Sequence, residues 1–241
     1  MSDESTSAEN AIASTTLSQT TLTALQVTEQ LIIIRYNLLP DTKPGENSNL
    51  AAIWQNTNNI PYNQQPEHKV DITGTTQSGT FSFPVELRQN SYIIGYSVGP
   101  VLDDPSQKYG NVCSTIYIPS IPSLKALEEG GTIQAEADTS FFTSLQLGVS
   151  TGDTVSFKYS VPANCQPKAN KAWIGVFRGS ASYITAPEKA VAMTSNEDSG
   201  WMAINHKFVV NKQYTLAYFM SGFGDTPVQK RMAATLSFTA Q

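Results

Sequence analysis

The side chains with most to offer metal or nucleophilic chemistry are two histidines, His68 and His206, and two cysteines, Cys113 and Cys165. A tetrahedral zinc site needs several such donors converging, usually delivered as closely spaced pairs. Neither histidine has a second ligand at i+2 or i+4, and no Cys or His pair has zinc-binding spacing. Gly-x-Ser-x-Gly, His-Glu-x-x-His and glycine-rich phosphate loops are absent as well. Acids gather in turn-like stretches at Asp103-Asp104, Asp153, Glu197-Asp198 and Asp225, with Glu128-Glu129 near mid-chain. Calcium requires six or more converging oxygens, whereas single acids in turns cap and shape the backbone. The expectation is a protein without catalysis, metal or cofactor.

The aromatic residues offer a different chemistry. Trp54 and Trp173 sit within apolar runs and read as core. Trp201 follows Gly200 and alternates away from the apolar Met202 and Ile204, so it should face outward. An exposed indole is a platform for a sugar ring or an anchor for a protein partner. The loop Asn56–Gln65 is rich in Asn, Gln and Tyr, which give hydrogen bonds and stacking at low charge, as adaptable binding surfaces do. Trp201, Tyr62, Asn58 and Asn59 are therefore the candidate ligand contacts.

What must position these residues begins with composition. The chain has 241 residues, 40% hydrophobic and only 15% charged, with a net charge of −5. Uncharged polar residues make up the difference, as suits the outer faces of strands. No Lys/Arg cluster is present to neutralise phosphates, which argues against nucleic acid. No apolar run approaches the roughly 18 residues of a membrane-spanning helix; Leu31–Ile34 is bounded by Gln30 and Arg35. Residues 1–16 carry acids where a signal peptide has Lys or Arg, and they read as a disordered tail. The protein is expected to be cytoplasmic or exported without a signal peptide, unless the N-terminus has been trimmed.

Internal repetition organises the rest. At a constant offset of 123, Leu31–Trp54 aligns with Thr154–Phe177 without a gap, pairing Ile32 with Val155, Ile34 with Phe157 and Tyr36 with Tyr159. At 121, Ser78-Gly79 meets Ser199-Gly200, and at 122, Tyr92 and Tyr96 meet Tyr214 and Tyr218. A duplication follows: repeat 1 over 17–118, repeat 2 over 132–241, and a Pro- and Gly-punctuated linker over 119–131 in which 123–129 suits two helical turns. Each repeat holds one cysteine and cannot close its own disulfide. Two lone thiols fit a reducing compartment, and a bridge between repeats is the alternative.

Period-2 alternation dominates both copies, with Val155, Phe157 and Tyr159 on one side and Thr154, Ser156 and Lys158 on the other. About seven short strands per repeat, separated by turn signals, predict two tandem all-β, immunoglobulin-like Greek-key sandwiches. Further strands are predicted near 132–137 and 142–149, among others. Leu87–Tyr92 and Phe208–Tyr214 each place a Tyr just before an alternating strand, the pattern of a tyrosine corner.

Ala172-Trp-Ile-Gly-Val-Phe177, with Ser199-Gly200 and Tyr214–Tyr218 after it, resembles the Trp-Ile-Gly-Leu-Tyr pattern of SKICH-like domains over roughly 150–240. Repeat 1 has Leu50-Ala-Ala-Ile-Trp54 instead. The resemblance implies a docking or membrane-recruitment role and names no partner.

One asymmetry stands out. The outward set on the first aligned strand is Leu31, Ile33 and Arg35, against Thr154, Ser156 and Lys158 in repeat 2. Leu31 and Ile33 should be covered, by the sister repeat, by another chain in a homo-oligomer, or by an extra strand from residues 17–28. The function expected is recognition of a protein or glycan. A leaderless, membrane-active toxin and a self-assembling structural protein are the alternatives.

Overall fold

A computed structural model describes residues 15–120 and 140–241. The expected helical turns at 123–129 and the expected strand at 132–137 lie outside the described residues, as do most of the linker and residues 1–14 of the expected tail. The regular structure is β1 (Thr16–Gln19), β2 (Thr21–Val27), β3 (Leu31–Asn37), β4 (Leu50–Gln55), β5 (His68–Asp71), β6 (Ser78–Pro84), β7 (Tyr92–Ser97) and β8 (Val112–Ile118). It continues with β9 (Ser140–Phe142), β10 (Ser144–Ser150), β11 (Thr154–Ser160), β12 (Trp173–Arg178), β13 (Lys189–Ala192), β14 (Ser199–Asn205), β15 (Gln213–Phe219) and β16 (Met232–Thr239). Single 3-10 turns precede β8 and β16. Among the described residues, no helix is long and apolar enough to cross a membrane.

The strand order repeats. In repeat 1 a sheet β2-β3-β6 belongs with a second sheet β5-β4-β7-β8, and in repeat 2 β10-β11-β14 belongs with β13-β12-β15-β16. Every pairing is antiparallel, and the strands crossing between sheets give two immunoglobulin-like sandwiches. Alternation does what the sequence demands of it. On β3, Ile32, Ile34 and Tyr36 are buried while Arg35 is exposed; on β11, Val155, Phe157 and Tyr159 are buried while Lys158 is exposed. Both tyrosine corners form: the Glu86 N–H donates to the Tyr92 hydroxyl at 2.9 Å, and the Val209 N–H to that of Tyr214 at 3.0 Å.

The sheets do not respect the boundary between the repeats. β1, at the start of the chain, pairs with β16 of repeat 2, from Thr16 opposite Ser237 to Gln19 opposite Ala234. β9 pairs back onto β8 of repeat 1, from Ser114 opposite Phe142 to Ile116 opposite Ser140. Each repeat thus lends its first short strand to the other. The crossings are Thr20 and Thr143, both buried and separated by the same offset of 123. Their N–H groups donate to Ala233 (3.1 Å) and Cys113 (2.8 Å). The expected tail end at residue 16 is corrected, since Thr16 is already strand. The limits at 17 and 132 divide the sequence but not the sheets.

The contact between repeats has matching halves. Tyr183 bonds through its hydroxyl to Thr42 of repeat 1, and Tyr62 donates to the Pro162 carbonyl of repeat 2 at 3.4 Å, beside Cys165. Thr42 and Cys165 are equivalent positions, as are Tyr62 and Tyr183. Leu39 of repeat 1 packs with Trp173, Phe177 and Phe219 in a small cluster distinct from the main core. Trp173 is fully buried, stacked on Phe219 at 3.8 Å, but on the side of its sheet that meets repeat 1. Cys113 and Cys165 are buried and unbridged, so the alternative of an inter-repeat disulfide is not realised.

Candidate functional site

β11 is the central strand of its sheet, flanked by β10 and β14. Pairing fixes which outward side chains become neighbours. Gln146, Lys158 and Trp201 form one row across the three strands, and Ser156 and Ala203 stand opposite each other in the next. Thr154 and Asn205 close the third row, joined by a hydrogen bond from the Thr154 hydroxyl to the Asn205 side-chain oxygen at 3.1 Å.

The indole of Trp201 does not stand up from this surface. A β-bulge interrupts β10 between Leu147 and Ser150, and Gly148 lies in it. A Cβ added at Gly148 would come within 2.7 Å of Cζ3 of Trp201 and 2.6 Å of Oγ of Ser156. The ring therefore reaches from β14 over β11 to β10 and rests on the bulge, where glycine is required for space. Ser156 holds the bulge in place: its Oγ accepts from the Val149 N–H at 2.7 Å and donates to the Val149 carbonyl at 3.3 Å. Trp201 remains 61% exposed and Val149 66% exposed. The result is a flat aromatic floor on a hydrogen-bonded sheet, with Gln146 and Lys158 along one side and Asn205 along another. Such an arrangement can stack the apolar face of a ring while polar groups fix its orientation.

The remaining candidates are dispersed. Tyr62 is 4% exposed; its ring is spent on the contact with repeat 2, and burial pushes its phenol well above the usual tyrosine range. Its candidacy as a ligand contact is corrected accordingly: the ring is buried, while Asn56, Asn58, Asn59, Asn63, Gln64 and Gln65 around it are exposed. Asn58 and Asn59 are exposed, with the Asn59 amide donating to Asn58 at 3.2 Å, and they lie in repeat 1 rather than beside Trp201. Leu31 and Ile33 are half-buried on the outer face of β2-β3-β6, opposite Pro84 and Ser82. β2 joins that sheet at its edge and does not cover it. The contact between repeats includes instead Leu39, Thr42 and Tyr62, with Gln107 accepting from Asn170 and Asn111 from Ser221.

Burial pushes both thiols up to about 12, which keeps them protonated and poorly nucleophilic at neutral pH. His206 meets Glu188 at 3.0 Å and packs edge-on to Phe208 and Tyr214. Asp104 accepts hydrogen bonds from the Ser106 hydroxyl and N–H at 2.7 and 2.8 Å, which hold its carboxyl below its ordinary value. Glu128 and Glu129 lie outside the described residues. Among the described residues, no group of three or more His, Cys, Asp and Glu is placed to hold a metal.

Gly148, Lys158 and Gln146 were missed as site residues from sequence. The signal was available in the duplication, where Gly148 aligns with Leu25, Ser156 with Ile33 and Trp201 with Thr80. Three coordinated size changes on one face mark a ring and the space made for it.

No family model matches the chain, and no curated protein matches it. Among solved structures, the human OSCAR ligand-binding domain is similar over 92% of this chain and 94% of its own, at 10% identity and a TM-score of 0.21. A likeness that loose extends to no residue of the site.

Proposed function

We propose that the chain is a non-enzymatic recognition protein that binds a glycan on the outer face of β10-β11-β14, with Trp201 as the stacking platform. The observation that carries this reading is an indole left 61% exposed yet seated over a glycine on a paired sheet. A ring held by its own strand and by the bulge beneath it gives up little freedom on binding, so more of the stacking energy remains as affinity. The test is a glycan-array screen followed by titration of tryptophan fluorescence, comparing wild type with Trp201→Ala. Loss of at least tenfold in affinity is expected, with the thermal midpoint nearly unchanged because the side chain is mostly in solvent. Absence of glycan binding by the wild type would sink the reading.

A second reading, self-association, is supported by the other repeat. Leu25 is 40% exposed beside the half-buried Leu31 and Ile33. Sedimentation over a concentration series, with Ile33→Ser alongside, tests it. A monomer at every concentration excludes it.

A further inference from the structure

We infer that the glycan bound over Trp201 is acidic, carrying a carboxylate or sulfate ester that Lys158 holds at the edge of the stacked ring. The inference rests on the glycan reading and narrows its ligand class. Lys158 is the direct cross-strand partner of Trp201 and lies on the same face. Side chains so placed are roughly 5 Å apart at Cβ, which lets a lysine reach beyond the indole edge. It is also the only charged residue in β10, β11 and β14. The chain as a whole carries −5, whereas these three strands carry no acid; Asp153, Glu197 and Asp198 lie in the turns at their ends.

Lys158 takes part in none of the ion pairs among the described residues, a state it shares with most other described lysines and arginines, so its ammonium is available to an anion. Two further observations separate this role from that of an ordinary solvated lysine. Lysines on sheets commonly guard an edge against further pairing, but β11 is central and has no edge to guard. Repeat 1 keeps a cation at the same position: Arg35 is the only charged residue of β2, β3 and β6 and stands opposite Thr80. There the indole is missing, and an open depression of about 520 Å³ lies beside Arg35, Asn37 and Thr80. The charge is thus common to both faces, while the platform exists on one.

The experiment uses the full chain on an array of matched pairs, each carboxylated glycan beside its methyl ester and each sulfated glycan beside its desulfated form. Wild type, Trp201→Ala and Lys158→Gln are compared, with thermal midpoints recorded to show that all are folded. Wild type should prefer the acidic member by about three- to tenfold, the range for one charge-assisted contact at an exposed site. Lys158→Gln should lose that preference and bind the two members of a pair alike. Trp201→Ala should lose both. Raising salt to about 0.5 M should erase the preference alone, because screening acts on the charge and not on the stack. Which pairs discriminate tells a carboxylate from a sulfate. Equal binding of both members, or a preference untouched in Lys158→Gln, overturns the inference while Trp201-dependent binding leaves the glycan reading standing. No binding to any member overturns both.

Discussion

The outer faces of the two three-stranded sheets are built on the same frame and finished in opposite ways. Beneath them the inward side chains correspond, Leu22 with Leu145, Ile32 with Val155 and Ile34 with Phe157, and all are buried. The bulge falls at the same place, between Ala24 and Gln26 in one sheet and between Leu147 and Ser150 in the other. On the outside, repeat 1 has the large Leu25 and Ile33 next to the small Thr80. Repeat 2 has the small Gly148 and Ser156 beneath the large Trp201. The first spreads its apolar surface among side chains that partly cover one another. The second gathers it into one ring that nothing in its own repeat covers. The strand pairing and the buried face correspond, and Ser156 serves the wider bulge of repeat 2 through its bonds to Val149, but no such structural task falls to the exposed indole of Trp201.

That comparison is broken most directly by making repeat 2 resemble repeat 1. Gly148→Leu places a Cβ within 2.7 Å of Cζ3 of Trp201 and 2.6 Å of Oγ of Ser156, so the ring must leave the bulge and the Ser156 hydroxyl must shift. We expect a loss of glycan affinity of tenfold or more, with about 1–2 kcal/mol of stability lost through the disturbed bonds of Ser156. Fluorescence titration and thermal melting measure the two. The converse change, Leu25→Gly with Ile33→Ser and Thr80→Trp, should build a second platform and raise the binding stoichiometry from one towards two. Unaltered affinity in Gly148→Leu would show that the seating of the ring is irrelevant to recognition.

The next effect lies inside the sandwiches, where one hydrogen bond of repeat 1 has no counterpart in repeat 2. Tyr96 and Tyr218 are equivalent and fully buried. The Asn49 amide donates to the Tyr96 hydroxyl at 3.2 Å. Position 172 of repeat 2, the counterpart of Asn49, is alanine, and the Tyr218 hydroxyl has no hydrogen-bond partner among the described residues. Tyr96→Phe should cost about 1–2 kcal/mol, because it strands a buried amide. Tyr218→Phe should be neutral or slightly stabilising, because it removes a hydroxyl that is desolvated without return. Urea unfolding of the pair decides it. Equal losses would mean that Tyr218 does find a partner.

How much of this was legible follows from where information is stored. Inward and outward parity on β3, β11 and β14 is written in side-chain hydrophobicity, so the burial of Ile32 and Phe157 and the exposure of Trp201 could be read directly. The tyrosine corners were legible because a specific residue stands at a fixed distance before a strand. The exchange of β1 and β9 was not. It is made by backbone N–H and C=O groups, which every residue carries, and only the recurrence of Thr20 at Thr143 hints at it. Tyr62 misled because its polar neighbours do face water and give no sign that the ring itself turns inward. Its recurrence as Tyr183 was the available clue, since a loop free to vary has little reason to keep a tyrosine in both copies. The platform required three positions to be compared at once, and single residues concealed it.

The smallest expected effect concerns the two halves of the contact between repeats. Where repeat 1 has Thr42 bonded to Tyr183, repeat 2 has Cys165 beside Tyr62. Burial raises the Cys165 thiol from 9.0 to about 12. In the unfolded chain this thiol loses its proton near its ordinary value, while the folded protein keeps it. The contribution to stability is therefore whole below about pH 9 and is lost progressively as pH rises towards about 12. Thr42 has no such titration. Cys165→Thr should match wild type at neutral pH, its hydroxyl able to serve Tyr62 as Thr42 serves Tyr183. At about pH 10 it should retain about 1 kcal/mol that wild type loses. Cys113, shifted in the same direction, contributes equally to both proteins and cancels. Urea midpoints at the two pH values measure the difference. If both proteins lose the same stability on going alkaline, Cys165 is not held as a buried neutral thiol, and the two halves of the contact are more alike than their side chains indicate.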